Sequence, residues 1–352
     1  MTTAVDGSGL PAEWELWAAG NLIRGRPADE LVAALEEEGF APEAARSAVT
    51  TLEGSAGVRA ARLALRPVVQ VHRLRREHLR LAGSSVPVQP GVDPATFVQR
   101  YLAPQVPVVL PDLTAGWPAR EWTWSSLVEQ FGDTAIEVCE GRSRVDGPAR
   151  QWRSLTRLRP FRQVVERALD PATGDDLYVV ANNAALEGPD RSGGPLASLV
   201  EDVRAVDGFL ARETLLHSSV WIGGAGTHTP VHHDLCDLLF CPFLGAKDVW
   251  LAPPEEIELA DHGAGYFGPD LSLARPETWA RFGIEALAVR QVRVEPGQTL
   301  LIPAGWWHEV VSRAPCVTIT FAGLTRPNDY GWFHPAPPER VELGAQTAQE
   351  GT

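Results

Sequence analysis

Cysteine is scarce in this chain. Its 352 residues include four cysteines, and no two of them form a CxxC pair. A disulfide framework or a zinc ribbon needs a denser and more regular cysteine pattern, so we expect reduced cysteines in a cytoplasmic protein. Cys236 and Cys241 are close enough in sequence to hold a soft metal ion, but buried packing is the simpler interpretation.

Basic residues are also fewer than acidic ones. The chain has 31 basic and 45 acidic residues, a formal net charge of −14 with neutral histidine. A surface that follows a phosphate backbone needs clustered lysine and arginine, so the composition argues against a nucleic-acid partner. No run approaches the ~18 apolar residues of a membrane span, and the first residues lack the basic and apolar segments of a secretory signal. We therefore predict no membrane partner either.

The composition is nevertheless that of a packed globular protein, 44% hydrophobic and 8% aromatic. We divide the chain into a helical N-terminal module at 1–85, a larger domain at 86–335 and a flexible tail, rich in Pro and Glu, at 336–352. A segment rich in Pro, Gly and Ser at 84–94 forms the predicted linker between the first two.

The positions of proline and glycine predict where the helices of the N-terminal module begin and end. Pro27 and Pro42 stand where helices begin, and Gly25, Gly39 and Gly54 stand where helices end. The pattern indicates four short or medium helices. Such a module could dock a partner, hold a homodimer together or only pack on the second domain.

The arginine-rich run at 59–80 permits two interpretations. Clustered arginine on a helix is typical of nucleic-acid binding, but these arginines alternate with Leu and Val at helical spacing. That pattern favours a solvated face over a packed apolar stripe.

The larger domain has a different pattern. Short runs rich in β-branched and aromatic residues are separated by Gly, Pro and Asp turns, which is typical of a β-sandwich or barrel. Two helical insertions interrupt the runs, at 125–132 and 161–171. The predicted fold class is therefore mainly β, with flanking helices and a small all-α module before it.

A His-x-Asp pair is the candidate metal-binding motif. Residues i and i+2 of a strand share a face, so His232 and Asp234 are expected to point the same way and His233 the opposite way. His308 lies on a later strand, just after a Pro-Ala-Gly turn. Two histidines and a carboxylate form the facial triad of non-haem Fe(II) oxygenases, although Zn²⁺ accepts the same ligands. A zinc cluster of His228, His233 and His232 is the weaker alternative.

Lys247 adds an anion-binding group to this pattern. It follows His232 by 15 residues and begins a strand beside an apolar run. A lysine inside a barrel is costly unless it meets an anion, such as the distal carboxylate of a 2-oxo acid. Thr229 and Tyr178 could add hydroxyl hydrogen bonds to that carboxylate. The alternatives are a solvent-facing Lys247 and a Thr229 that serves a turn.

The segments at 229–234 (TPVHHD), 252–254 (APP) and 296–308 (PGQTLLIPAGWWH), taken with Lys247, resemble the JmjC-type, cupin-like Fe(II)/2-oxoglutarate oxygenases. The resemblance covers roughly 86–327. It implies a double-stranded β-helix (cupin, or jelly-roll) core. It also implies the role of each matching position, listed here: iron ligands His232, Asp234 and His308, and co-substrate residues Tyr178, Thr229 and Lys247.

Several further positions follow from the same resemblance. Phe240 corresponds to an aromatic residue beside the co-substrate, and Trp221 falls where the family has an aliphatic residue near the 2-oxoglutarate pocket. The family's asparaginyl hydroxylases carry asparagines where this chain has Leu238 and Ala322, so the identity of the substrate does not carry over. Trp306 is a further candidate for the substrate pocket, although wall or core packing is the simpler interpretation.

The resemblance implies an Fe(II)- and 2-oxoglutarate-dependent dioxygenase. We expect hydroxylation of an amino-acid side chain in a peptide or protein, coupled to conversion of 2-oxoglutarate and O₂ to succinate and CO₂. One alternative substrate is a free amino acid or another small metabolite. Another alternative is a non-catalytic, metal-binding cupin scaffold. A zinc hydrolase is disfavoured because no carboxylate base is evident beside the triad.

Overall fold

The computed structural model describes residues 9–149, 151–181, 185–187, 193–212, 215, 218–255, 271–279 and 289–328. The chain divides into two compact units, Met1–Ala82 and Gly83–Thr352. The tail predicted at 336–352 lies outside the described residues. None of the described helices carries the apolar run that a bilayer crossing requires.

From residue 9 onward the N-terminal unit consists of four helices: α1 Ala12–Arg24, α2 Ala28–Glu37, α3 Pro42–Gly54 and α4 Ala56–Leu81. Gly25 ends α1 with a φ of 89°, a left-handed conformation that glycine adopts without strain. Pro27 precedes α2, and Pro42 is the first residue of α3. Buried Leu22, Leu31 and other apolar side chains of the first three helices form the core of this unit. The predicted helical module is confirmed.

The packed stripe expected on the arginine-rich helix is wrong for most of α4. Val58 is buried, but Leu63, Val68, Val71 and Leu74 are exposed by half or more. At ~1.5 Å per residue the 26-residue α4 is about twice as long as α1. A helix as short as α1 can therefore cover only part of the length of α4.

The described residues of the second unit form twelve strands: β1 Val108–Leu110, β2 Ala135–Glu140, β3 Thr156–Pro160, β4 Leu177–Val179, β5 Ser219–Gly223, β6 His228–His232, β7 Leu238–Leu244, β8 Lys247–Ala252, β9 Arg290–Val294, β10 Thr299–Ile302, β11 Trp307–Ser312 and β12 Cys316–Phe321. They form an eight-stranded sheet in the order β1-β10-β7-β12-β5-β4-β2-β3 and a four-stranded sheet in the order β6-β11-β8-β9. All the pairings between these strands are antiparallel. The mainly β fold class is confirmed.

Helices flank the larger sheet: α5 Pro94–Phe97, α6 Trp124–Phe131, α7 Trp152–Leu155 and α8 Phe161–Leu169. The two predicted helical insertions are α6 and α8. Thr123 and Ser126 form a capping box that starts α6. Phe131 of α6 packs against Phe161 of α8, with ring centroids 6.0 Å apart, in the same buried cluster as the sheet residues.

The sequence pattern missed β3. Its residues Arg157 and Leu158 are exposed and Pro160 ends it. The strand lies at the edge of the eight-stranded sheet, where charged residues and proline are tolerated because one side of the strand needs no partner.

Candidate metal and co-substrate site

Two histidines lie opposite each other on neighbouring strands. His232 is the last residue of β6, His308 is the second residue of β11, and the antiparallel register pairs them. Asp234 completes the group, because its Oδ2 lies 3.5 Å from Nε2 of His308. One ligand atom from each of the three residues lies within 4.8 Å of the others. The structure therefore brings the three predicted ligands together.

Asp234 does not share a strand face with His232, contrary to the expectation from the His-x-Asp spacing. β6 ends at His232, so Asp234 lies in the loop that follows the strand and does not share a face of it. The backbone carbonyl of Asp234 accepts a hydrogen bond from the Gly305 backbone N–H at 2.9 Å. The Asp237 carboxylate accepts another from the Ala304 N–H at 2.8 Å. These bonds tie the loop to the Pro-Ala-Gly turn before β11, and they place Asp234 beside His308.

Hydrogen bonds set the tautomers of both histidines. Nδ1 of His232 lies 2.8 Å from the Pro230 carbonyl oxygen, and Nδ1 of His308 lies 3.0 Å from that of Trp306. A carbonyl only accepts, so each Nδ1 is the donor and each Nε2 keeps its lone pair. Burial, with a smaller effect of the neighbouring His232, lowers the pKa of His308 to about 4. Both rings can therefore offer the lone pair of Nε2 to a metal cation.

A β-bulge lets a threonine join the site. In the pairing of β6 with β11, the two-residue step from His308 to Val310 faces the three-residue step from His232 to Thr229. One extra residue in β6 changes the face on which the following residues lie. Thr229 and His232 both line the same cavity, although their odd spacing would put them on opposite faces of a regular strand.

A buried ammonium lies at the inner end of the site. Lys247 begins β8 and is 1% exposed. Its Nζ donates to the Tyr178 hydroxyl oxygen at 3.0 Å, and Thr229 Oγ1 lies 3.4 Å from the same oxygen. Among the described residues, no carboxylate pairs with Lys247. It is also the single lysine of the 352 residues, because the other 30 basic residues are arginines.

The charge of this ammonium is retained. Burial lowers the pKa of Lys247, but the neighbouring Cys316 and Tyr178 outweigh that effect, and the pKa stays above its ordinary value. Phe240 and Tyr178 present their rings to Nζ, with centroids at 5.8 and 5.3 Å. The result is a protonated amine in an aromatic pocket, ready for an anion.

The site opens into one cavity of about 250 Å³ between the two sheets. The predicted residues that line it are Tyr178, Trp221, Thr229, His232, Asp234, Leu238, Phe240, His308 and Ala322. Lys247 lies behind the Tyr178 hydroxyl. Trp306 does not line the cavity, because its indole N–H donates to the Gln105 carbonyl at 3.0 Å and Arg290 covers its ring.

Some lining residues were not predicted. Ser219 and Thr320 face the cavity two residues from Trp221 and Ala322, and Val310 lies two residues after His308. Strand alternation applied to the predicted residues could have found all three. Cys236 and Ala181 also line the cavity but lie in loops, where alternation gives no signal.

The alternative metal sites are not formed among the described residues, where His232, Asp234 and His308 are the one group of metal-ligating side chains close enough together. His233 packs its ring against Trp307 at a centroid distance of 4.7 Å. His228 Nε2 lies 2.7 Å from Glu309 Oε1. All four cysteines are free thiols, and Cys241 is buried, with burial raising its pKa to about 12.

This donor set fits a first-row divalent metal. Two neutral imidazoles and one carboxylate occupy one side of an ion and leave its remaining positions open, as in the facial triad. The arrangement of such a group between two antiparallel sheets is typical of metal-binding β-barrel proteins.

A model of the cupin-like domain family matches residues 94–321 of the chain. The protein therefore belongs to the cupin-like domain family, and the JmjC-type resemblance is confirmed. Members of this family are typically Fe(II)/2-oxoglutarate oxygenases.

Curated relatives carry several different names. The Jumonji C domain-containing protein 5 of Drosophila melanogaster is 32% identical over 106 residues, 29% of this chain and 26% of that protein. The tRNA wybutosine-synthesizing protein 5 of Danio rerio is 27% identical over 246 residues, 64% and 71% of the two chains. The lysine-specific demethylase 8 of Xenopus tropicalis is 24% identical over 222 residues, 61% and 47%. The chain thus spans less than half of two of these relatives.

Proposed function

We propose that the protein is an Fe(II)/2-oxoglutarate-dependent hydroxylase that acts on an amino-acid side chain of a peptide or protein. The observation that carries the proposal is the combination of two groups at one cavity, a metal-ligating triad that lines it and a buried ammonium that reaches it through the Tyr178 hydroxyl. The triad of His232, Asp234 and His308 offers metal ligands, and the buried Lys247 offers a cation without a carboxylate partner among the described residues. A metal site alone does not need such a lysine.

Each group has a separate task in this proposal. The triad holds the metal by one side. Iron and 2-oxoglutarate, when bound, supply the oxidising chemistry that converts O₂ and 2-oxoglutarate to CO₂ and succinate and hydroxylates a substrate C–H bond. Lys247, Tyr178 and Thr229 bind the distal carboxylate of the co-substrate through one ammonium and two hydroxyl groups.

Both apolar and hydrogen-bonded side chains form the cavity walls. Trp221 donates its indole N–H to Thr320 Oγ1 at 3.1 Å, which fixes the ring on the wall. Leu238 and Ala322 give apolar surface where the asparaginyl hydroxylases have amides. The orientation of 2-oxoglutarate therefore depends on the metal and on the Lys247 end, with no amide between them at these two positions.

A peptide or protein substrate agrees with the name of one relative, a lysine-specific demethylase. Another relative is named for tRNA wybutosine synthesis, but the net charge of −14 works against a polyanion here. A free amino acid is the small-molecule alternative, and N-demethylation follows the same course where the hydroxylated carbon bears nitrogen. Substrate screens should therefore include peptide pools, free amino acids and tRNA.

The test of this function is 2-oxoglutarate turnover. We expect succinate to form from 2-oxoglutarate under air with Fe(II), and to form faster with a substrate pool. His232→Ala should abolish this turnover, and the control His233→Ala should retain it, because His233 is not part of the metal-ligating group and packs its ring on Trp307. Iron binding without any succinate would favour the non-catalytic scaffold, and a failure to bind iron would contradict both functions.

A further inference from the structure

A buried arginine lies beside the Tyr178 ring but does not line the cavity that holds the metal group. Arg142 lies just after β2 and is 2% exposed. Its Nε donates to the Asp175 backbone carbonyl at 3.0 Å, and its Nη2 donates to the Asp175 carboxylate at 3.1 and 3.2 Å. A buried guanidinium requires such a set of acceptors, because an unpaired buried charge is strongly destabilising.

The pair also holds the first residue of β6. Arg142 Nη2 donates to the His228 carbonyl oxygen at 2.9 Å, and the His228 backbone N–H donates to Asp175 Oδ1 at 2.9 Å. Both backbone polar groups of His228 are thus bound by one ion pair. The next residue along the strand is Thr229, which lines the cavity.

The same pair reaches Tyr178. Asp175 lies in the turn directly before β4, three residues before Tyr178. The Arg142 guanidinium carbon lies 5.3 Å from the centroid of the Tyr178 ring, within cation–π range. Tyr178 belongs to the eight-stranded sheet and Thr229 to the four-stranded sheet. The pair therefore joins the two sheets at the place where these two side chains meet.

We infer that Arg142 and Asp175 are positioning residues that set the separation of Tyr178 and Thr229, and so determine how tightly, and at what length, the distal carboxylate of a 2-oxo diacid is held. Neither residue takes part in the chemistry. This inference rests on the proposed function, since it concerns the same co-substrate. It predicts that a change in either residue of the pair weakens 2-oxoglutarate binding. The same change should also reduce the preference of the protein for 2-oxoglutarate over 2-oxoadipate, the diacid that is one carbon longer.

Calorimetric titration of the Mn(II)-loaded full chain under anaerobic conditions tests this without turnover. We compare 2-oxoglutarate with 2-oxoadipate for the wild type, Arg142→Met and Asp175→Asn. We expect about tenfold weaker 2-oxoglutarate binding in each variant, the size of one charge-assisted hydrogen bond. The loss for 2-oxoadipate should be smaller, and Mn(II) affinity should stay within about twofold of the wild type, since no metal ligand changes.

Two controls separate positioning from general damage. Arg120→Met removes an arginine that also donates to a backbone carbonyl, that of Gly297, but does not contact the cavity. It should leave both dissociation constants unchanged. Arg142→Lys keeps the charge but loses the fork of donors, so it should restore part of the affinity and little of the length preference. If Arg142→Met does not fold, the isosteric Asp175→Asn decides alone.

The outcomes are distinguishable from failure of the proposed function. A wild type that binds Mn(II) but no 2-oxoglutarate overturns the proposed function, and this inference falls with it. A wild type that binds 2-oxoglutarate, with variants whose affinity and length preference equal its own, overturns the positioning role only. Equal losses for both diacids, matched by Arg120→Met, would also overturn it, because they would show a general effect on stability.

Discussion

Lys247 donates a hydrogen bond from its Nζ to the Tyr178 hydroxyl at 3.0 Å inside the barrel. The relationship joins two sheets, because Lys247 begins β8 of the four-stranded sheet and Tyr178 lies on β4 of the eight-stranded one. Besides this phenol, the thiol of Cys316 contacts the ammonium, but among the described residues no carboxylate does, so the charge is satisfied only in part. The remaining donor capacity of the ammonium is the strongest physical argument for an anionic ligand.

Replacing Lys247 with methionine should weaken 2-oxoglutarate binding by roughly 10–100-fold, because charge-assisted hydrogen bonds contribute about 1.5–3 kcal/mol. Methionine fills most of the same space, so the fold should persist. Titration of the metal-loaded protein measures the change. Arg290→Met is the matched control, since Arg290 is also a buried cation but covers Trp306; it should leave the affinity within about twofold. Equal affinities in Lys247→Met and the wild type would refute the anion site.

Removing one hydroxyl group should have a smaller effect. Tyr178→Phe keeps the ring that contacts Arg142 but loses the acceptor of the Lys247 bond. We expect about 3–10-fold weaker 2-oxoglutarate binding, the size of one neutral or weakly charged hydrogen bond. Tyr101→Phe, on a tyrosine packed against the main core, should not change the affinity. A loss of the same size in both variants would argue against a specific role of Tyr178.

The single lysine offers a direct spectroscopic reporter. A chain labelled with ¹⁵N only at lysine should give one backbone amide signal, from Lys247. In the zinc-loaded, diamagnetic protein, 2-oxoglutarate should shift this signal, because the ligand would meet the ammonium of the same residue. An unshifted signal at saturating 2-oxoglutarate would contradict the assignment of Lys247 to the co-substrate.

Metal affinity should depend on each member of the triad. A change in a residue that only supports a ligand typically costs 10–100-fold, so loss of the ligand itself in His308→Ala should exceed about 100-fold. Competition with a coloured chelator measures this for Mn(II) or Zn(II). His233→Ala is the adjacent control and should bind metal like the wild type. Comparable binding in His308→Ala would show that the ion lies elsewhere.

Asp248 should stabilise the fold in a pH-dependent manner. Its buried carboxylate accepts hydrogen bonds from Arg293 and Arg313, which outweigh the opposing effect of burial and hold its pKa below the ordinary value of 3.8. A lowered folded-state pKa stabilises the fold above pH 3.8, and the stabilisation is lost as the pH falls through the folded-state value. Asp248→Asn should therefore lower the melting temperature at pH 7.

The melting temperatures of the two proteins should begin to converge below pH 3.8, where the unfolded wild-type chain binds a proton at Asp248, and should meet once the pH is below the lowered folded-state pKa. Asp133→Asn, at an exposed ion pair with Arg162, should change the melting temperature little at either pH. A constant difference between Asp248→Asn and the wild type from pH 7 to pH 3 would contradict the electrostatic account.

Strand periodicity predicted most of the fold, but it could not predict local breaks in that periodicity. The inward faces of β4, β5, β7 and β12 follow from alternation around Tyr178, Trp221 and Phe240. Thr229 shares the cavity only because of a bulge opposite β11, and the loop position of Asp234 depends on bonds to a turn far away in the sequence. Such features arise from tertiary contacts, so the His-x-Asp spacing selected residues that the structure does bring together, but the assumption of a shared strand face was wrong.

In the helical unit the helix ends were predicted well, whereas the packing of one helix was not. Pro27, Pro42 and the glycines mark the helix ends well because capping is a local property. The packing of α4 is not local, and its amphipathic pattern did not reveal that Leu63 and Leu74 are exposed. A periodic apolar stripe predicts that a helix forms, but the surface that covers the stripe depends on the rest of the molecule.

The most direct test of the central claim is anaerobic difference absorption of the protein with Fe(II) and 2-oxoglutarate. A 2-oxo acid chelated to iron in the triad should give a weak visible metal-to-ligand band. We predict this band in the wild type, and at the same 2-oxoglutarate concentration a weaker band in Lys247→Met. The absence of a band in the wild type, with iron demonstrably bound, would contradict the oxygenase function.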